Sequence, residues 1–197
     1  MLTSMKKPHH HNEASRRFHN RVAAKYDAIY DDPFWEFHDR VTWNHLKPHL
    51  PKDSQAKALD LGCGTGKWGL KLLKMGYPTT FVDLSPKMLE EVQGKLNVWA
   101  EKPDLAGKAA KAKVQMADAV DLLALPADEF DFAVGMGDVV TICSDPARCL
   151  SEMHRVMKPG GIFVFTIDNA LAALDYFIES GNLEELGQFV RTRKTHW

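Results

Sequence analysis

The run Leu59-Asp60-Leu61-Gly62-Cys63-Gly64-Thr65-Gly66 limits the fold more than any other feature of the chain. A short apolar strand pattern precedes it, and a helical pattern begins near Lys67. Glycines at alternate positions let the backbone turn tightly and admit a ligand where a Cβ would collide. The free N–H groups and positive dipole end of the helix that follows favour a polar ligand at the same place. A bare strand-to-helix turn needs fewer glycines, so the run predicts a pocket for a nucleotide-like molecule. A phosphate-binding P-loop would read GxxxxGKS or GxxxxGKT, and the dinucleotide fingerprint reads GxGxxG; the spacing here is GxGxG. Asp83 ends the next apolar run, 17 residues beyond the last glycine. A doubly wound fold places there a carboxylate that accepts from ribose hydroxyls. Its other role, capping the next helix, falls to Ser85, which precedes Pro86.

Around this run, short apolar segments alternate with helical ones. Strands are predicted at 58–61, 79–83, 114–116, 130–134 and 162–167, with helices at 67–75, 86–99 and 146–157 and a weaker connection at 121–125. Parallel neighbours need crossover connections, and those crossovers are right-handed. The fold class is therefore α/β, a doubly wound and mainly parallel sheet. The Ala- and Lys-rich stretch 101–113 reads as a solvated insertion. Residues 1–12 read as a mobile tail, and His9, His10 and His11 as part of that tail or a cloning remnant rather than a metal site. Residues 13–50 read as a helical cap: Phe18, Val22, Tyr26, Ile29 and Tyr30 form an apolar stripe, and Asp32-Pro33 starts a second helix running to about His45. Residues 51–197 form the ligand-binding domain.

Charge and cysteine content narrow the function. With 25 Lys and Arg against 26 Asp and Glu among 197 residues, the chain has no basic excess with which to bind nucleic acid. Its longest apolar runs are strand-length, short of the roughly 20 residues that span a bilayer. Cys63, Cys143 and Cys149 form neither CxxC pairs nor an even framework, which suits reduced thiols and a cytoplasmic location. His45 and His49 have the spacing of a helical metal pair, but Pro48 lies between them and no further ligand completes a set, so no metal is expected.

With these motifs in order, the sequence resembles the class I, seven-stranded methyltransferases that use S-adenosyl-L-methionine. LDLGCGTG (59–66) is similar to their first motif, FVDLSPKML (81–89) to the second, ADAVDLLALPADEFDFAVGMGDVV (117–140) to the third and fourth, and LSEMHRVMKPGGIFVFTIDN (150–169) to the helix, turn and fifth strand. RVAAKYDAIYDDPFW (21–35) is similar to the cap of the small-molecule branch associated with ubiquinone and menaquinone biosynthesis. The resemblance implies that Asp60, Gly62, Cys63, Gly64 and Gly66 surround the methionine portion of the cofactor. It puts Asp83 on the ribose, Leu84 on the adenine, and Asp118 and Ala119 at the adenine amine and ring. Met88 is either an apolar wall or a core residue. Gly135 opens the loop that runs to Asp138, between cofactor and acceptor. Tyr26 and Tyr30 share a helix face and either fold over the cofactor or simply pack the helix. Trp35, Phe37, His38 and Trp43 would shape an apolar acceptor site. Asp138, His38 and His45 are candidate bases where the acceptor must lose a proton.

The family normally follows its fifth strand with a helix and an antiparallel hairpin. Here two short helices, 169–179 and 182–192, split by Ser180-Gly181, are expected, and no hairpin is recognisable. This reads as a truncated chain, a proteolysed product or a reduced domain, with an open sheet edge that favours association or domain exchange. The implied function is methylation of a small molecule. The alternative is a protein that holds the cofactor without transferring its methyl group. A nicotinamide-dependent oxidoreductase is disfavoured by the glycine spacing.

Overall fold

The structure is a computed structural model that describes residues 9–167 and 169–192. Its elements in chain order are α1 (His9–Val22), a 3-10 turn (Ala23–Lys25), α2 (Tyr26–Ile29), α3 (Pro33–Leu46), a 3-10 turn (Lys47–His49), β1 (Ala58–Leu61), α4 (Lys67–Met75), β2 (Thr79–Asp83), α5 (Pro86–Ala100), α6 (Ala106–Ala109), β3 (Ala112–Met116), β4 (Phe130–Gly135), α7 (Val139–Ile142), α8 (Pro146–Val156), β5 (Met157–Phe165), α9 (Ala170–Ser180) and α10 (Leu183–Thr192).

Local chemistry explains most boundaries. The side chain of Asp32 accepts from the amides of Phe34 (2.8 Å) and Trp35 (3.1 Å), and Pro33 takes the first helical position of α3. Ser85 accepts from the Met88 amide at 3.2 Å ahead of α5, and Asp145 from the Arg148 amide at 3.0 Å ahead of α8; a proline again opens each helix. Gly66 at φ 87° and Gly76 at φ 110° bracket α4 in a left-handed backbone that a side chain disfavours.

The sheet is parallel throughout, in the order β3-β2-β1-β4-β5, with β1 at its centre and all four β1 residues buried. The strand order reverses between β1 and β4, where open α/β sheets place their ligands. One core packs Leu59, Leu61, Phe130, Ala133 and Met153 against α8; another packs Leu46, Ala58, Leu72, Phe132 and Val134 under α3 and α4; a third packs Leu73, Phe81, Val92 and Leu96 between α4 and α5.

Contacts divide the chain at Thr166. Residues up to Thr166 form one compact unit that includes the N-terminal helices, and Ile167 onward forms a second, in which Phe177 and Phe189 pack together between α9 and α10.

Several expectations need correction. His9 to Asn12, read as tail, form the first turn of α1, while residues 1–8 lie outside the described residues. The expected continuous helix from Glu13 breaks into α1, a 3-10 turn and α2. Its apolar stripe is only partly the buried face: Val22, Tyr26 and Tyr30 are half-buried, but Phe18 is 48% and Ile29 51% exposed, and polar residues of α1 face the cleft. The stretch 101–113 is not all solvated insertion, since α6 and the first two residues of β3 lie within it, and Ala112 pairs with Thr79. β5 starts at Met157, not near Ile162, because its pairing to β4 slips at Lys158–Gly161, where Gly160 takes φ 80° and Lys158 reaches Asp131 at 2.7 Å. Such a bulge admits extra residues without ending the strand.

Candidate cofactor cleft

The carboxyl ends of β1, β2 and β4 open into one cleft, roofed by α1 and α2. Gly62 and Gly64 (after β1), Asp83, Leu84 and Ser85 (end of β2), Asp118 and Ala119 (after β3), and Met136, Gly137 and Val139 (after β4) line it. From above come Asn12, Ser15, Arg16 and His19, spaced as one face of α1, with Tyr26 from α2. The enclosed volume is about 90 Å³.

The glycine loop is held from below. Cys63 donates its amide to Val82 O at 2.9 Å, tying the loop to β2, and Gly66 donates to Cys63 O at 2.8 Å to close the turn. Gly62 (φ 64°) and Gly64 (φ 52°) are both left-handed; a Cβ on Gly62 would lie 2.7 Å from Val139, and one on Gly64 would come within 3.6 Å of the Tyr26 ring. The packing of Val139 against the loop therefore requires bare backbone at Gly62, while at Gly64 it is the left-handed backbone that favours glycine.

Asp83 stands at the hinge of the cleft. Its Oδ2 accepts from Gly64 N at 2.9 Å and its Oδ1 from Ser85 N at 2.8 Å. A carboxylate offers about four acceptor sites, so two backbone bonds leave capacity for further hydroxyl donors. Burial pushes its carboxyl above the usual range, against the pull of those two amides and the nearby His19. Asp118 lies at the far end, where its Oδ1 accepts from Val120 N at 3.1 Å and its Oδ2 from the Asn12 carboxamide.

The roof is pinned at three points. The Asn20 Oδ1 accepts from Ser85 Oγ (2.7 Å) and Lys87 N (3.4 Å). Asp27 accepts from Thr65 Oγ1 and pairs with Lys95 at 2.7 Å, while Lys95 also donates to Thr65 O at 2.8 Å. Burial works against the charge on Asp27, but Lys95 and Thr65 hold its carboxyl below the usual range. Lys67 pairs with Asp39 of α3 at 2.8 Å and lies over the Tyr30 ring.

Not every residue expected at the site lines this cleft. Asp60, 1% exposed, is turned beneath the loop, where its Oδ2 accepts from Gly69 N at 2.7 Å. Burial, then the field of Asp83, pushes its carboxyl up to about 7. Cys63 packs downward with Leu73, Phe81 and Val92, and burial pushes its thiol up. Gly66 backs onto Val92 and Phe81, Met88 is fully buried, and Gly135 abuts Phe163 within β4. Tyr30 lies tilted against Tyr26 at 5.0 Å and edge-on to Trp35 at 4.9 Å, outside the lining. Asp138, in a left-handed conformation at φ 63°, donates its amide to Thr166 Oγ1 at 3.1 Å and sits between the lining residues Gly137 and Val139. His38 is off the lining, edge-on to Trp35, with its Nδ1 3.6 Å from Asp39. The aromatic acceptor wall is not assembled here either: Trp43 stacks on Trp68 in the core and Phe37 is 56% exposed. His45 lines a separate groove beside β5.

The sequence reading missed the polar face of α1. Its signal was present in Asn12, Ser15, Arg16 and His19 at helical spacing, but the apolar stripe on the same helix drew the assignment. Among the described residues, no three His, Cys, Asp or Glu side chains converge on a metal position, and no helix is long and apolar enough to cross a membrane.

A demethylmenaquinone methyltransferase of Leptospira interrogans is 31% identical over 149 residues, covering 74% of this chain and 56% of that protein. The chain thus spans a little over half the length of this curated relative. A crystal structure of an S-adenosylmethionine-dependent methyltransferase from Mesorhizobium loti superposes with a TM-score of 0.53 at 29% identity, over 65% of this chain and 54% of that one. The cyclase SpnF shares the fold with a TM-score of 0.65 at 21% identity, over 78% of this chain and 59% of its own. A family model described as a methyltransferase domain matches residues 59–165, more than half of the chain and the whole span from the glycine loop through β5. On that match, the chain belongs to the methyltransferase-domain family.

Proposed function

We propose that the cleft binds S-adenosyl-L-methionine and that the protein transfers its methyl group to a small-molecule acceptor. The observation that carries this reading is the placement of the Asp83 carboxylate beside the Gly62–Gly64 backbone at the point where strand order reverses. The residues present fit the cofactor. Asp83 retains acceptor capacity for the ribose hydroxyls, Leu84, Ala119 and Ile142 offer apolar walls for the base, and Asp118 can accept from the adenine amine. Gly64 leaves open the space that a side chain would fill beneath Tyr26. Cys63, Gly66 and Gly135 shape the loop and strand behind the cleft, and Asp60 sets the field beneath it.

When bound, the cofactor supplies a methyl group activated by a sulfonium, whose displacement leaves a neutral thioether. The chain's own task is then alignment and exclusion of water. Positioning alone contributes roughly 7–11 kcal/mol to barrier reduction in well-oriented reactions. Tyr26, held over the loop by the Asp27–Lys95 pair and backed by Tyr30, forms the cover that keeps solvent away. Where the acceptor carries a proton, Asp138 is the best placed of the three candidate bases, since its neighbours Gly137 and Val139 line the cleft; His38 would have to reach in from α3, and His45 lines a separate groove. The relatives named as demethylmenaquinone methyltransferases favour a small-molecule acceptor over a macromolecule. A cleft of about 90 Å³ is smaller than the roughly 300–1,000 Å³ of ordinary ligand sites, so entry requires the Asn12 end of α1 to lift from Asp118.

Calorimetric titration with S-adenosyl-L-methionine and S-adenosyl-L-homocysteine tests binding, and transfer of a tritiated methyl group into a metabolite extract tests turnover. Tight binding with incorporation supports the proposal; binding without incorporation selects a cofactor-holding protein instead. Asp83→Ala is expected to weaken binding by about 1.5–3 kcal/mol, and an unchanged affinity removes the ribose assignment.

A further inference from the structure

We infer that His19 is a second acceptor for the ribose hydroxyls, making the face of α1 that roofs the cleft part of the cofactor site. The inference rests on the cofactor reading above and adds to it a residue outside the recognised motifs. His19 lines the cleft together with Asp83, Leu84 and Ser85. Its Nδ1 lies 2.9 Å from the backbone oxygen of Ser15, one helical turn earlier. A carbonyl oxygen only accepts, so Nδ1 carries a ring proton, and in the tautomer with that single proton Nε2 is the lone-pair acceptor.

Asp83 keeps one open acceptor site on each oxygen, so alone it would receive both ribose hydroxyls alongside two amides. Each of its oxygens takes one backbone N–H, from Gly64 and from Ser85. A vicinal diol brings two O–H donors, and a buried hydroxyl left without an acceptor costs about 1–3 kcal/mol. An imidazole nitrogen on the opposite wall adds a further site, so that each hydroxyl can take the acceptor it faces. The position is also anchored: the next residue, Asn20, is bonded to Ser85 Oγ and Lys87 N, so His19 stays near the end of β2 even when the Asn12 end of α1 lifts. A packing role alone would rest on its edge contacts with Phe18 at 5.2 Å and Tyr26 at 6.2 Å.

The two roles separate in a binding cycle. The intact chain, His19→Ala and His19→Gln are titrated at about pH 8, where an ordinary imidazole is neutral, with S-adenosyl-L-homocysteine and its 2′-deoxy and 3′-deoxy ribose forms. His19→Ala is expected to weaken binding of the parent ligand about three- to tenfold, with no further loss on the form lacking the hydroxyl that His19 receives. His19→Gln, which restores an acceptor, recovers most of the affinity. Equal losses on all three ligands, or no loss on any, overturn the assignment. Asp83→Ala in the same series separates the two failures. If it weakens the parent ligand while His19→Ala behaves additively, the cofactor reading stands and only His19 falls. If neither variant matters, or the intact chain does not distinguish the deoxy forms, the ribose site itself is wrong and His19 falls with it.

Discussion

Replacing Asp60 by Asn should make the protein more stable in mild alkali while leaving it little changed in mild acid. Asp60 is 1% exposed at the centre of the sheet and its carboxyl has one hydrogen bond, from Gly69 N. Burial first, and the Asp83 charge second, raise it from 3.8 to about 7. The unfolded chain releases this proton near the ordinary value, whereas the folded chain keeps it until about pH 7. Between those values the folded state binds the extra proton, so stability falls as pH rises. At about 1.4 kcal/mol per pH unit, the loss over the whole interval is at most about 4 kcal/mol, of which about 2–3 kcal/mol falls between pH 5 and 8. Asn keeps an oxygen for Gly69 N and carries no charge to desolvate, so the variant lacks this slope. Urea denaturation followed by far-ultraviolet circular dichroism at the two pH values measures it. The stability of Asp60→Asn relative to the parent should improve by about 2–3 kcal/mol from pH 5 to pH 8. A difference that stays constant across that range would falsify the buried, proton-retaining carboxyl. Since Asp60 faces away from the cleft, the same variant should cost less cofactor affinity than Asp83→Ala.

Gly69→Ala places a Cβ 2.4 Å from Phe81 and 2.7 Å from Asp60 Oδ2, so overpacking of about 1–3 kcal/mol should lower the thermal midpoint; an unchanged or higher midpoint contradicts that crowding. Asn12→Ala frees Asp118 from the carboxamide that occupies it, and affinity for S-adenosyl-L-homocysteine should rise up to about tenfold; weaker binding would mean that Asn12 supports the ligand instead of competing with it. Glu152, buried on α8, accepts from Leu122 N at 2.9 Å and pairs with Arg155 at 2.8 Å, so Glu152→Ala should cost about 2–3 kcal/mol at neutral pH. Arg155 holds the Glu152 carboxyl below its ordinary 4.5, so its contribution is complete above that value and is lost as pH falls below it; the gap between variant and parent should narrow in acid, and a gap that persists at about pH 3 counts against the pairing.

The sequence alone determined what depends on residues a few positions apart. Strand-to-helix alternation, the Asp32 and Ser85 caps and the glycine turn act within one or two turns of chain, and the parallel sheet follows from them. The pairing of an acid at 83 with the glycine loop was legible for the same reason, because strand ends in a parallel sheet converge on one edge. Tertiary packing decided which way the side chains of these motifs turn. Asp60, Cys63 and Met88 lie within motifs that read as ligand contacts, yet neighbouring strands and helices bury them. The roof shows the reverse case. Asn12 reaches Asp118 across 106 positions of sequence, and the polar face of α1 that carries His19 closes the cleft. Helical periodicity marks both faces of such a helix, but only a long-range partner with unsatisfied acceptors decides which one turns inward.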